Sequence, residues 1–117
     1  MIQLKPDAFP AALPLFADNP RHAIAVSCCL GLCPGRVFVD RAHSPTAALV
    51  ALERFGIAFV AGDCAHACDL LRALRGWQPW YEVNDPPAAW YPALAAWSPT
   101  GWATARYVFG NDPSAFD

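Results

Sequence analysis

The chain has 117 residues, of which 56% are hydrophobic and 15% charged, and its formal net charge is −2. A single domain of this length buries roughly 65% of its unfolded surface and so holds a proper core. Its eight cations (Lys5, Arg21, Arg36, Arg41, Arg54, Arg72, Arg75 and Arg106) are scattered rather than gathered on one face, which argues against a nucleic-acid groove, and no apolar run approaches the ~20 residues of a membrane span.

In chain order, "IQL" reads as a first strand. "KPDAFPAALPLFAD" follows as a helix with Asp7 as cap, its Phe9, Leu13 and Phe16 at helical spacing and Pro14 expected to kink or shorten it. "NPRHAIAVSCCLGL" is a second helix. Asn19 caps it, Pro20 takes the first helical position, and Gly31 serves as a left-handed terminator. Pro34 and Gly35 suit the centre of a tight turn. "RVFVD", "TAALVALE" and "IAFVAGD" are strands, with "AHSP" and "RFG" as the breaks between them. The linkers are too short for crossover helices, so the three strands form an antiparallel meander.

Asp63 caps a helix, "CAHACDLLRALRG", that ends at Gly76. The spacing puts Cys64, Cys68 and Leu71 on one face toward the sheet, with Asp69, Arg72 and Arg75 toward water. "PWYEV" is strand-like. "NDPPAAWYPALAAW" is a last helix, with Asp85 as cap, Pro86 in the first turn and Pro92 unfavourable to its second half. "ATARYVF" is a final strand before a polar tail. The expected fold is α+β, a mainly antiparallel sheet with helices packed on it, in one domain over residues 1–117.

The composition sets a further expectation. Typical domains carry about 25% charged residues. Five Trp, seven Phe and three Tyr cannot all be interior in so short a chain, so an apolar patch is expected to meet a second subunit, a further domain or a ligand. The aromatic cluster Trp77, Trp80, Tyr81, Trp90, Tyr91, Trp97 and Trp102 is the candidate ligand or interface surface, with core plus interface the preferred reading.

Catalytic signatures are weak. Five cysteines exclude a complete disulfide framework within one chain. Cys28, Cys29, Cys33, Cys64 and Cys68 contain no Cys-x-x-Cys knuckle, and His66 faces away from the Cys64–Cys68 pair, so no metal site is expected and the thiols are read as small core hydrophobes. Cys64, at a helix N-terminus, is the best placed for a lowered pKa, with His66 or His22 as conceivable partners. Asp40, Glu53, Asp63, Glu82 and Asp85 lie in separate elements. None of the seven glycines sits in a Gly-rich loop that opens a helix to cradle a pyrophosphate. "MIQLKPDAF" lacks the charged-then-apolar order of a signal peptide, giving a cytoplasmic expectation.

The segment "RHAIAVSCCLGLCPGRVFVDRAHSPTAALV", then "GIAFVAGD" before a helix, and the closing "ARYVFGNDPSAFD" resemble the N-terminal half of a bacterial family of GNAT-type (acyl-CoA N-acyltransferase-like) proteins. The resemblance implies a GNAT-like half-domain that precedes a catalytic half. In that half an Arg/Gln-x-x-Gly-x-Gly/Ala loop at a helix N-terminus holds acetyl-CoA. This sequence lacks that loop, so no catalytic residue and no cofactor residue is carried over. It is either a piece of a longer protein or a stand-alone half without transferase activity.

The first expectation is therefore a non-catalytic interaction or substrate-positioning module, as a homodimer or beside a catalytic partner domain, with no cofactor. A small acyl-CoA-dependent N-acetyltransferase gripping acetyl-CoA through Arg36, Arg41 or Arg54 is the alternative. A small-molecule binding module built on the Trp/Tyr cluster is a third reading.

Overall fold

The computed structural model describes residues 1–74 and 82–97. The expected strand "ATARYVF", the helix end at Gly76, and Trp77, Trp80, Tyr81 and Trp102 lie outside the described residues.

The fold is α+β: a five-stranded mixed sheet with helices on both faces. The strands β1 (Ile2–Gln3), β2 (Arg36–Val39), β3 (Ala47–Leu52), β4 (Ile57–Gly62) and β5 (Glu82–Val83) lie side by side in chain order. The first three pairings are antiparallel and β5 is parallel to β4. The expected meander is present, with Val37 opposite Val50 and Val50 opposite Phe59. Parallel addition of β5 follows from the helix that intervenes between β4 and β5, since a parallel neighbour requires a crossover.

Every residue of β3 is buried, because the sheet is covered on both sides. Period-two alternation sends Val37, Val39, Ala48, Val50, Leu52, Phe59 and Ala61 to one face and Phe38, Leu49, Ala51, Ala58, Val60 and Val83 to the other. On the first face lie α1 (Leu13–Phe16), the 3₁₀ turn Pro6–Ala12 before it, and α2 (Ala23–Cys29), which contribute Phe9, Ala12, Phe16, Ala25, Cys28 and Cys29. On the second lie α3 (Ala67–Leu71) and α4 (Tyr91–Trp97), contributing Ala67, Leu70, Leu71 and Leu94, with Leu74 and Trp90 from the adjoining 3₁₀ turns Arg72–Leu74 and Ala88–Trp90.

Several local expectations are corrected. Asp7 does not cap the first helix. It sits inside the 3₁₀ turn, whose cap is Lys5, and Pro14 falls in the first turn of α1, where a missing N–H is harmless and no kink results. Cys64 and Cys68 are exposed. The helix opens with a 3₁₀ turn, Cys64–His66, and its apolar face is set by Ala67, Leu70, Leu71 and Leu74 at i, i+3, i+4 and i+7. Asp85 does not cap the last helix. It adopts φ 47° and turns toward the other side of the sheet, so the helix begins beyond Pro87, and Pro92 lies within the first turn of α4 without breaking it.

Other expectations agree with the structure. The Asn19 side chain accepts from Arg21 N–H and the Asp63 side chain from Ala65 N–H, both at 2.9 Å. At the end of α2, Gly31 N–H donates to Cys28 O (3.0 Å) and Leu32 N–H to Ser27 O (2.9 Å). With φ +78° at Gly31, these two bonds make a Schellman terminus.

Candidate functional site

The two ends of the sheet differ in chemistry. At the end where β2, β4 and β5 finish, polar groups tie the layers together. Asp40 follows β2 and accepts from Thr46 Oγ1 (2.5 Å), Thr46 N–H (2.9 Å) and Ala47 N–H (3.1 Å). Partial desolvation disfavours its charged form, but these donors outweigh it and hold the carboxyl at about 2, below the ordinary 3.8. The Trp90 ring is wholly buried and its indole N–H donates to Gly62 O at 2.9 Å. Asp85 reaches Asn19 Nδ2 at 2.7 Å and Arg21 at 3.5 Å. His22, 2% exposed, lies edge-on to Phe16 and Phe59 and meets the Asp85 carbonyl through Nε2 at 3.0 Å. A carbonyl only accepts, so Nε2 carries the proton. His22 Nδ1 and Asn84 Oδ1 are buried here without a hydrogen-bond partner among the described residues.

In this arrangement His22 packs between Phe16 and Phe59 and ties its layer to the Asp85 backbone. Among the described residues no hydrogen bond joins a histidine to a thiol. Of the candidate aromatic surface, Trp90 is core and Tyr91 is exposed at the start of α4, while Trp77, Trp80, Tyr81 and Trp102 lie outside the described residues. Three of the candidate carboxylates serve separate local roles: Asp40 the β2–β3 connection, Asp63 the turn after β4, and Asp85 the tie to Asn19 and Arg21.

The opposite end carries the turn from α2 to β2 and the β3–β4 hairpin. The two adjoin. A Cβ on Gly35 would lie 3.0 Å from Ala51 O and 3.3 Å from Cys28 Sγ, and Arg54 lines the same cavity of about 270 Å³ as Pro34, Gly35 and Arg36. Arg36 and Arg54 thus converge, whereas Arg41 sits at the polar end, donating to Ser44 O at 3.0 Å. On these two turns Leu30 (55%), Leu32 (77%) and Phe55 (61%) are exposed. Other exposed large apolar side chains are dispersed: Met1 and Ile2 on the sheet edge, Ile24 on α2 and Tyr91 on α4.

The apolar surface expected at the Trp/Tyr cluster falls mostly outside the described residues, and the exposed Leu30, Leu32 and Phe55 are a separate apolar feature. The signal for this end was available: Leu30 and Leu32 flank a helix-terminating glycine and Phe55 precedes Gly56 in a hairpin turn. Large apolar residues at turn positions have no inward face to occupy.

The thiols divide by burial. Cys28 and Cys29 are buried, Cys33 is half-buried, and Cys64 and Cys68 are exposed. Burial, with a smaller effect from the neighbouring Cys33 thiol, pushes the Cys28 thiol up to about 12, and burial alone raises Cys29 to about 11. Among the described residues no group of three or more His, Cys, Asp or Glu is placed to hold a metal ion, and no helix is long and apolar enough to cross a membrane. Comparison with protein-family models, curated proteins and solved structures gives no match.

Proposed function

We propose that the chain is a non-catalytic, GNAT-like domain that acts as an interaction or substrate-positioning module in the cytoplasm, and that its partner is a second copy of itself. The observation that carries the reading is the exposure of Leu30, Leu32 and Phe55 together at one end of the sheet. Burying each such side chain is worth about 1.5–3 kcal/mol, and homodimer interfaces are the most apolar class of protein contact.

The GNAT-like part is supported by the element order: a strand, two helices, an antiparallel meander, a helix, and a strand parallel to the last of the meander. The non-catalytic part is supported by the sequence itself, which carries no Arg/Gln-x-x-Gly-x-Gly/Ala loop of the kind that the resemblance places in the family's catalytic half.

The cavity between Arg36 and Arg54 favours one alternative, an acyl-CoA-dependent N-acetyltransferase. Its volume suits one phosphate or carboxylate group better than a whole coenzyme. Calorimetric titration with acetyl-CoA, beside sedimentation velocity, separates the two. The module predicts a dimer and no heat at millimolar acetyl-CoA, and a monomer that binds acetyl-CoA overturns it.

A further inference from the structure

We infer that the cavity lined by Pro34, Gly35, Arg36 and Arg54 is a binding site for a phosphate dianion, free or carried as a small monoester. The inference stands apart from the dimer proposal, because all four lining residues belong to one copy of the chain.

The arginines of the described residues fall into two groups. Arg21 pairs with Asp85 at 3.5 Å, Arg72 with Asp69 at 2.9 Å, and Arg41 donates to Ser44 O at 3.0 Å. Each of these three cations has an acceptor within the chain. Arg54 makes no hydrogen bond and no ion pair with a described residue, yet it lines a concavity of about 270 Å³.

The second cation is brought there by the fold. Arg36 opens β2 and stands opposite Ala51 of β3. Arg54 lies just beyond β3, in the 3₁₀ turn Glu53–Phe55, so the strand register carries both to the same end of the sheet. Gly35 packs the chain directly onto β3, where a Cβ would stand 3.0 Å from Ala51 O. That close packing fixes the backbone beside Arg36.

The lining selects the ligand. None of the four residues is acidic, so two positive charges share one concavity with no counter-charge in its lining, an arrangement that an anion stabilises. A guanidinium presents planar N–H donors that match phosphate oxygens in pairs. Two guanidiniums balance one dianion, whereas a single carboxylate leaves one cation unmatched.

The test is a ¹H–¹⁵N NMR titration of the whole folded chain at pH 8 and constant ionic strength, with inorganic phosphate, methyl phosphate and acetate in parallel. The expected result is a saturable shift of the Gly35, Arg36 and Arg54 amides with phosphate, and binding at least about 10-fold weaker for acetate. Either result with methyl phosphate sustains the site: binding extends it to monoesters, and exclusion confines it to the free ion. Arg54→Gln, at an exposed position, should keep its circular dichroism and bind phosphate at least about 10-fold more weakly. Arg41→Gln should bind as wild type does. Shifts that sodium chloride reproduces, shifts that persist in Arg54→Gln, or acetate binding equal to phosphate overturn the inference.

Discussion

The two ends of the sheet are built from the same strands and differ in how their side chains are satisfied. At the β4–β5 end, Asp40, Asp85, Asn19 and Trp90 have partners within the chain, and the Asn19–Asp85 and Trp90–Gly62 bonds cross between layers. At the other end, the turns leave Leu30, Leu32 and Phe55 exposed, and Arg36 and Arg54 line a cavity. A polar group that is tied internally contributes to stability, whereas a large apolar group left in water contributes nothing to the fold of one copy. Under the proposed function, stability belongs to one end and recognition to the other.

The largest effect expected at the tied end is from Gly62→Ala. Gly62 has φ +91° and an added Cβ would lie 2.1 Å from Thr46 O, so backbone strain and a collision with main chain coincide. A loss of more than about 4 kcal/mol, or failure to fold, is expected in urea denaturation. Trp90→Phe ranks next. It keeps most of the apolar volume but leaves Gly62 O without its indole donor, at a cost of about 2 kcal/mol; a cost near zero would remove Trp90 from the set of layer ties.

Asp40→Ala is expected to cost about 1–2 kcal/mol at pH 7, because two backbone N–H groups and the Thr46 hydroxyl lose their acceptor. The pH dependence has a definite sign. The folded carboxyl titrates at about 2 against an ordinary 3.8, so its stabilising effect is complete above about pH 4 and is lost as pH falls toward 2. Denaturation midpoints measured between pH 5 and 2 should converge for wild type and variant at the acid end. Leu32→Ser and Phe55→Ser should shift monomer stability by less than about 0.5 kcal/mol, as surface changes do. A large loss in either would mean that the open end serves the fold.

The sheet was legible in the sequence because its strands are short, β-branched and bounded by Pro, Gly and Ser, and because Asn19, Asp63 and Gly31 carry local signals that need no tertiary information. Asp85 was misread because Asx-Pro looks like a helix start, while its actual role depends on Asn19 and Arg21, more than sixty residues away in sequence. Cys64 and Cys68 were misread because the phase of a helix depends on its first turn, and a 3₁₀ opening rotates every later position. The open end was anticipated only as excess apolar composition, although Leu30, Leu32 and Phe55 stand at turn positions that carry its local signal. The nearness of the two turns arises from the β2–β3 register, with Arg36 opposite Ala51, which no local pattern specifies.

Sedimentation equilibrium of wild type and of Leu32→Asp/Phe55→Asp tests the assignment of recognition to the open end most directly. The expected result is a wild-type dimer and a folded variant whose dissociation constant is raised at least about 100-fold, equal to roughly 2.7 kcal/mol of lost association. A wild type that stays monomeric at every concentration, or a variant that dimerises as wild type does, would contradict it.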